Sequence, residues 1–174
     1  MSVASQIKLT ASVTASVEYV EGRPWQEQWR CVTRYYERIQ EIYNGTFQPS
    51  SNEAWKDVIS SFFVNVHHLY EWIENDTRVD STARSAAGQF LRADRALKIA
   101  DGFSNSHKHY ARRKGLQVRV GSTTAGPGAN SIRIDWKDLD TQHSSGQEDA
   151  LDLAEACIAS WRRFFRHHSL NPDG

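Results

Sequence analysis

One stretch of the sequence, residues 53 to 75, constrains the fold more than any other. Its apolar side chains recur every three to four residues, which is the spacing that places them along one side of an α-helix. They are Trp55, Val58, Ile59, Phe62, Phe63, Val66, Leu69, Tyr70 and Ile73. Because these positions cover a broad arc, the helix needs neighbours on more than one side. The pattern therefore predicts a helix at the centre of a bundle.

Three further stretches have helical periodicity. A first helix begins near Pro24, which suits the first turn of a helix, and runs to about Tyr43. A third runs from about 82 to 110 and contains no evident breaker, and a last one runs from about 147 to 168. The chain therefore supplies at least four long helices that must pack on one another.

A strand-like region separates the third helix from the last. The alternating segments LQVRV and SIRIDW flank the glycine-rich GSTTAGPGAN, which predicts a β-hairpin at about 116–136. Residues 138–149 are interpreted as a connector, and residues 1–22 as an N-terminal arm or a strand. The predicted fold class is mainly α: a single helical domain over 23–169, with four to five helices and the hairpin inserted before the C-terminal helix.

Charge and hydropathy exclude several classes of protein. The 21 basic and 21 acidic residues cancel, which argues against a dedicated DNA coat or a membrane-surface protein. No apolar run reaches transmembrane length, and the segment MSVASQIKLTASV lacks the basic start and apolar stretch of a signal peptide. We therefore expect a cytoplasmic protein with no membrane partner and no cofactor. Its two cysteines, Cys31 and Cys157, are expected to be reduced.

The third predicted helix ends in the polar segment DGFSNSHKHY. Its candidate catalytic residues are Asp101, Asn105, Lys108 and His109. At about 100° per residue, the first three continue a stripe of apolar residues from earlier in the helix, so they are predicted to face its neighbours. Such a row is either a hydrogen-bonded structural network or a functional site. Two histidines at i,i+2, as in HKH, do not have the i,i+4 spacing of a helical metal site, so no metal is predicted.

The central helix carries a second candidate in VNVHHLYEWIEND. His68 and Trp72 are four residues apart, on a stripe beside the apolar arc, and His68 is the candidate catalytic residue here. His67 and Glu71 are also four residues apart, on another side of the helix. This His–Glu spacing permits a pair of metal ligands or an oriented imidazole, but it is also common by chance on helices.

The last helix ends in RRFFRHH, where two pairs have the spacing Arg, four residues, His. They are Arg162 with His167 and Arg163 with His168. A guanidinium binds phosphate and an imidazole transfers a proton in RNA cleavage, so this pattern is compatible with an RNase. Basic residues at a helix C-terminus also compensate the helix dipole. We predict that Arg162, Arg163 and His167 bind nucleic acid.

The order of these segments resembles a group of small bacterial and phage proteins. Their pattern is an HL-x-x-W-I helix, a D-x-x-N-x-x-K-H helix end, a hairpin, and a C-terminal helix that ends near a tryptophan. The matching residues, within about 55–165, are His68, Leu69, Trp72, Ile73, Asp101, Asn105, Lys108, His109 and Trp161. The group is similar to the HEPN superfamily (higher eukaryotes and prokaryotes nucleotide-binding), α-helical bundles that include many RNases of prokaryotic conflict systems.

The resemblance implies a HEPN-like bundle that binds RNA or a nucleotide, or acts as an RNase-type effector, with a second copy of the chain as a further expected partner. HEPN RNases use an Arg–(four to six)–His motif, usually with a polar residue after the Arg. Here Arg163 and Phe164 follow the two candidate arginines. The alternative is a non-catalytic bundle that serves as an interaction or structural module. Convergence of the candidate residues on an open cleft favours the first function, and a closed network favours the second.

Overall fold

The computed structural model describes residues 24–47, 51–108, 113–124, 130–141 and 144–174. In chain order its elements are α1 (Trp25–Tyr43), α2 (Asn52–Asn75), α3 (Ser81–Ala93), α4 (Arg95–Lys108), β1 (Leu116–Thr124), β2 (Ser131–Asp138), β3 (Ser145–Asp149) and α5 (Ala150–His167). The fold is mainly helical, with a small antiparallel sheet before the C-terminal helix, which confirms the mainly α class and the β element predicted before the last helix. The predicted N-terminal arm or strand, 1–22, lies outside the described residues.

Helix α2 lies at the centre of the bundle, as its broad apolar arc predicts. It contacts α1, α3, α4 and α5. Its side chains Phe62, Phe63 and Leu69 are completely buried. The indole N–H of Trp161 in α5 donates a hydrogen bond of 3.3 Å to the carbonyl of Val66, so a polar contact also joins α5 to this core. None of the described helices combines the length and the apolar character needed to cross a membrane.

The prediction of one helix over 82–110 is wrong, because the helix is interrupted at Asp94. The backbone there is extended, with φ −79° and ψ 131°, so α3 ends and α4 starts afresh. Asp94 Oδ1 accepts the N–H of Leu97 at 3.1 Å, which is the bond of a helix N-cap. Its Oδ2 accepts from Ser160 Oγ at 2.9 Å and from the Arg163 guanidinium at 2.7 Å. One carboxylate therefore starts α4 and joins it to α5.

The break also changes which side of α4 faces the core. The buried residues of α4 are Ala96, Leu97, Ile99, Ala100, Gly102, Phe103 and Ser104. Asp101 and Asn105 are half-buried at the border of this face, and Lys108 is exposed. The predicted core-facing stripe is therefore correct for Leu97, marginal for Asp101 and Asn105, and wrong for Lys108.

The predicted hairpin is present, and a third strand extends it. The sheet is antiparallel with the order β1-β2-β3, and β3 lies in the segment 138–149, where the sequence predicts only a connector. That segment has no apolar alternation, because β3 is an edge strand whose residues are half-buried or exposed. Strand β3 is instead held in the sheet by its antiparallel pairing with β2, in which Trp136 lies opposite Gly146.

A glycine sets the distance between α4 and the sheet. A Cβ atom at Gly102 would lie 2.7 Å from Leu116 Cβ and 2.9 Å from Val118 Cγ2, both in β1. The helix thus packs on β1 at a separation that only glycine allows. The Oγ of Ser106 accepts the N–H of Val118 at 3.0 Å one turn later. The C-terminal half of α4 is therefore fixed in position against the sheet.

Candidate functional site

The first group of polar side chains lies between α2 and α4 and is called the α2–α4 cluster. It consists of His67, His68 and Glu71 from α2 and Asp101 and Asn105 from α4. At about 100° per residue, Glu71 lies one turn beyond the two histidines and between their directions. Because α2 and α4 are in contact, the start of the polar segment of α4 meets this turn of α2.

Two imidazole–carboxylate pairs lie side by side in the cluster. His67 Nδ1 is 3.0 Å from Asp101 Oδ1, and His68 Nδ1 is 2.8 Å from Glu71 Oε2. The centroids of the two imidazole rings are 5.1 Å apart. One potential ligand atom from each of His67, His68 and Glu71 lies within 4.8 Å of the other two. The cluster thus concentrates groups that can transfer protons or bind a cation.

One side of the cluster is buried and the other is open to solvent. The side chain of His67 is 6% exposed, whereas those of His68, Glu71 and Asp101 are 29%, 42% and 31% exposed. His67 Nδ1 lies close to Asp101 Oδ1 but makes no hydrogen bond with it. This buried ring nitrogen therefore lacks the hydrogen-bond partner that buried polar atoms normally have.

Both carboxylates receive a hydrogen bond from outside the pairs. Tyr70 Oη donates to Glu71 Oε1 at 3.3 Å, and Asn105 Nδ2 donates to Asp101 Oδ1 at 2.9 Å. Burial alone would raise the pKa of Glu71, but the hydrogen bond from His68 and the charges of both imidazoles hold it below its usual range. Burial and the neighbouring Glu71 raise the pKa of Tyr70. Glu71 is therefore an ionised carboxylate, and Tyr70 remains a donor.

The structure brings together some of the candidate residues of this region and not others. Asp101 and Asn105 are in direct contact, and His68 lies next to them across His67. Lys108 is exposed at the end of α4. His109 lies outside the described residues. Sequence reasoning did not select His67 as a candidate, although its four-residue spacing to Glu71 was a visible signal.

The second group lies in a groove between α3 and α5, called the α3–α5 groove. It has a volume of about 480 Å³. Its walls are formed by Ala86, Gln89, Phe90, Ala93, Arg163, Phe164, His167 and His168. The guanidinium of Arg163 lies 5.6 Å above the ring of Phe90 and also pairs with Asp94. The groove thus combines an aromatic wall with one cation and two imidazoles.

The two adjacent arginines of RRFFRHH point to different neighbours. Arg163 enters the α3–α5 groove, where His167 and His168 also lie. Arg162 is exposed and does not line the groove; its charge opposes the rise that burial and the Glu155 carboxylate cause in the pKa of Tyr36 in α1. Of the two Arg–four–His matches, only Arg163 with His168 therefore has both side chains on one surface. Arg162 does not line the groove with His167.

The two histidines of the groove differ in their surroundings. Their ring centroids are 4.7 Å apart, and His168 also packs against Phe164 with centroids 4.4 Å apart. Burial and the charge of His167 lower the pKa of His168, while Asp80 at the N-cap of α3 opposes this. His167 is exposed and His168 is half-buried. His168 therefore favours its neutral form more than a free histidine does.

Comparisons of the chain with protein-family models, with curated proteins and with solved structures found no match. The resemblance to the HEPN superfamily accordingly stays a prediction.

Proposed function

We propose that the protein is a HEPN-like helical protein that binds RNA in the α3–α5 groove and cleaves its phosphodiester backbone. The observation that supports this most directly is the placement of Arg163, His167 and His168 around one groove beside Phe90. A cation and two imidazoles are the groups that phosphate binding and acid–base cleavage of RNA require. A nucleotide is the smaller ligand of the same chemistry.

Arg163 is the proposed phosphate-binding residue. Its guanidinium offers paired N–H donors that match the oxygen atoms of a phosphate. It is already paired with Asp94, but its side chain is 57% exposed, so the pair contributes only about 0–1 kcal/mol and a phosphate can replace it at small cost. The half-buried ring of Phe90 gives a base a surface for stacking.

The two histidines are the proposed base and acid. Neutral His168 takes the proton of the ribose 2′-hydroxyl, and the 2′-oxygen then attacks phosphorus. The bond from phosphorus to the 5′-oxygen breaks, and the imidazolium of His167 protonates that leaving oxygen. The products are a 2′,3′-cyclic phosphate and a 5′-hydroxyl. This division of roles matches the difference between the two histidines, because burial and the charge of His167 favour the neutral form of His168.

The test is cleavage of labelled single-stranded RNA, with the matched DNA strand as a negative control because it lacks the 2′-hydroxyl. We expect His168→Asn to reduce the rate by about 10²-fold or more, and Arg163→Ala to weaken RNA binding. Arg30→Ala, which removes an exposed arginine from α1, is the control that should keep both. The reaction should continue in EDTA. Equal cleavage by wild type and His168→Asn would refute the assignment.

A non-catalytic role is the second candidate, and the apolar walls of the groove favour it. Its lining is mostly apolar and includes Ala86, Ala93, Phe90 and Phe164, which suits an apolar side chain from a second copy of the chain. In that case the Arg163–Asp94 ion pair is a structural contact that no phosphate replaces. Sedimentation would then show a dimer that Phe90→Glu dissociates, and the RNA strand would remain intact in wild type.

A further inference from the structure

The α2–α4 cluster has the donor atoms of a metal site, and it shares no residue with the α3–α5 groove. We propose that His67, His68 and Glu71, together with Asp101, bind one divalent transition-metal ion of the Zn²⁺ type. The inference goes beyond the proposed RNA cleavage and does not depend on it.

The spacing of the donors is close to what a small cation requires. Zn²⁺ binds histidine nitrogen and carboxylate oxygen at roughly 2.0–2.2 Å in a tetrahedron, which places ligand atoms about 3.3–3.6 Å from one another. The ligand atoms of His67, His68 and Glu71 already lie within 4.8 Å of each other. Asp101 Oδ1 is 3.0 Å from His67 Nδ1, on the side that α4 provides. A four-ligand shell requires the first three donors to move closer together and Asp101 to turn toward them.

The buried imidazole of His67 supplies independent support. Its side chain is 6% exposed, and its Nδ1 atom lies in the cluster with no aligned hydrogen-bond partner. A buried polar atom without a partner costs free energy, and native structures rarely keep one without a reason. A cation between His67 and the two carboxylates would use this nitrogen as a ligand.

The two carboxylates of the cluster accept hydrogen bonds of the kind that orient the ligands of known metal sites. Ligating carboxylates are usually held by further hydrogen bonds that orient them. Here Tyr70 donates to Oε1 of Glu71 and Asn105 donates to Oδ1 of Asp101. Two carboxylates also bring two negative charges, which a divalent cation neutralises.

The ligand set selects the class of ion. Two imidazoles with two carboxylates suit Zn²⁺ and its neighbours in the first transition row, whereas Ca²⁺ and Mg²⁺ prefer oxygen ligands alone. Because the ligands come from both α2 and α4, the bound ion would link the central helix to the helix that packs on the sheet. We therefore expect metal binding to stabilise the fold as well as to occupy the site.

The experiment uses the full chain without an affinity tag, freed of metal with a chelator and titrated with Zn²⁺ by calorimetry. The expected result is one ion per chain and a higher melting temperature in the metal-bound form. Titration with Co²⁺ as a second probe should give the visible absorption of a tetrahedral complex. Loss of the metal ion need not change RNA binding in the groove, and RNA cleavage should persist in EDTA. A failure to bind Zn²⁺ would therefore leave the RNase proposal intact, and a failure to cleave RNA would leave the metal proposal intact.

The variants are chosen from the open side of the cluster so that they fold. His68→Gln, Glu71→Gln and Asp101→Asn should each weaken Zn²⁺ binding by more than 10-fold and remove the thermal shift. His107→Gln is the matched control, because it removes an exposed histidine from α4 outside the cluster. Absence of a one-to-one complex would overturn the proposal. An unchanged affinity in any of the three cluster variants would overturn the ligand set.

Discussion

The break between α3 and α4 gives the sharpest stability prediction, at Asp94. In Asp94→Ala the N–H of Leu97 loses its cap, which costs about 1 kcal/mol. The Ser160 hydroxyl also loses its acceptor, and since Ser160 is 5% exposed it is left unpaired at a cost of about 1–3 kcal/mol. The largely exposed Arg163 adds at most about 1 kcal/mol. We expect a loss of about 3 kcal/mol in the free energy of unfolding.

Urea denaturation measures this loss, and a double variant tests its cause. For a chain of this size, a loss of about 3 kcal/mol corresponds to a decrease in melting temperature of roughly 6–12 °C. If the stranded hydroxyl of Ser160 is the main term, Asp94→Ala/Ser160→Ala should be more stable than Asp94→Ala by about 1–2 kcal/mol, because no buried group is then left unpaired. Asp94→Asn keeps a capping oxygen and should lose less than Asp94→Ala.

Two results would refute this reasoning. A loss below about 1 kcal/mol in Asp94→Ala would mean that α3 and α4 do not depend on the cap at Asp94. A double variant less stable than Asp94→Ala would mean that Ser160 contributes by another contact.

Three further predictions concern α4 and α5. Gly102→Ala should destabilise by about 1–3 kcal/mol in urea, because its Cβ would lie 2.7 Å from Leu116 Cβ, although alanine normally favours helices; a stabilised variant would contradict the close packing. Asn105→Ala removes a hydrogen bond to Asp101 and should cost about 0.5–1.5 kcal/mol in thermal melts; an unchanged melting temperature would contradict this. The folded state lowers the pKa of His168, so the unfolded chain binds this proton more tightly and stability should decrease as the pH falls through about 6.5. Denaturation series over pH should show a weaker dependence in His168→Asn, and an unchanged slope would contradict the assignment.

The parts of the fold that follow from local spacing could be predicted. Helices α1, α2 and α5 have apolar side chains at helical intervals, and β1 and β2 alternate, so their type and position follow from local spacing. Strand β3 could not be predicted in this way. Its residues Ser145 to Asp149 have no apolar face, and only pairing with β2 makes them a strand.

At the α3–α4 break, a local N-cap signal in the sequence conflicts with a stronger helical periodicity. Aspartate is among the best N-cap residues, and Asp94 precedes four residues that favour a helix. The helical periodicity nevertheless continues on both sides of it, so the pattern predicts one helix. Tertiary contacts favour two helices over one: Ser160 and Arg163 of α5 donate hydrogen bonds to the Asp94 carboxylate and hold it at the break.

In the candidate sites too, some contacts follow from local helix geometry and others only from tertiary packing. His67, His68 and Glu71 are brought together by helix geometry alone, but the pairing of His67 with Asp101 exists only because α4 packs on α2. In α5, Arg162 and Arg163 point about 100° apart, and only Arg163 lines the groove. The side that packs is set by the buried Phe164 and its neighbours in the core, and this leaves Arg163 in the groove and Arg162 outside it. An Arg–four–His match in a sequence therefore becomes a candidate site only when the packing of its helix is known.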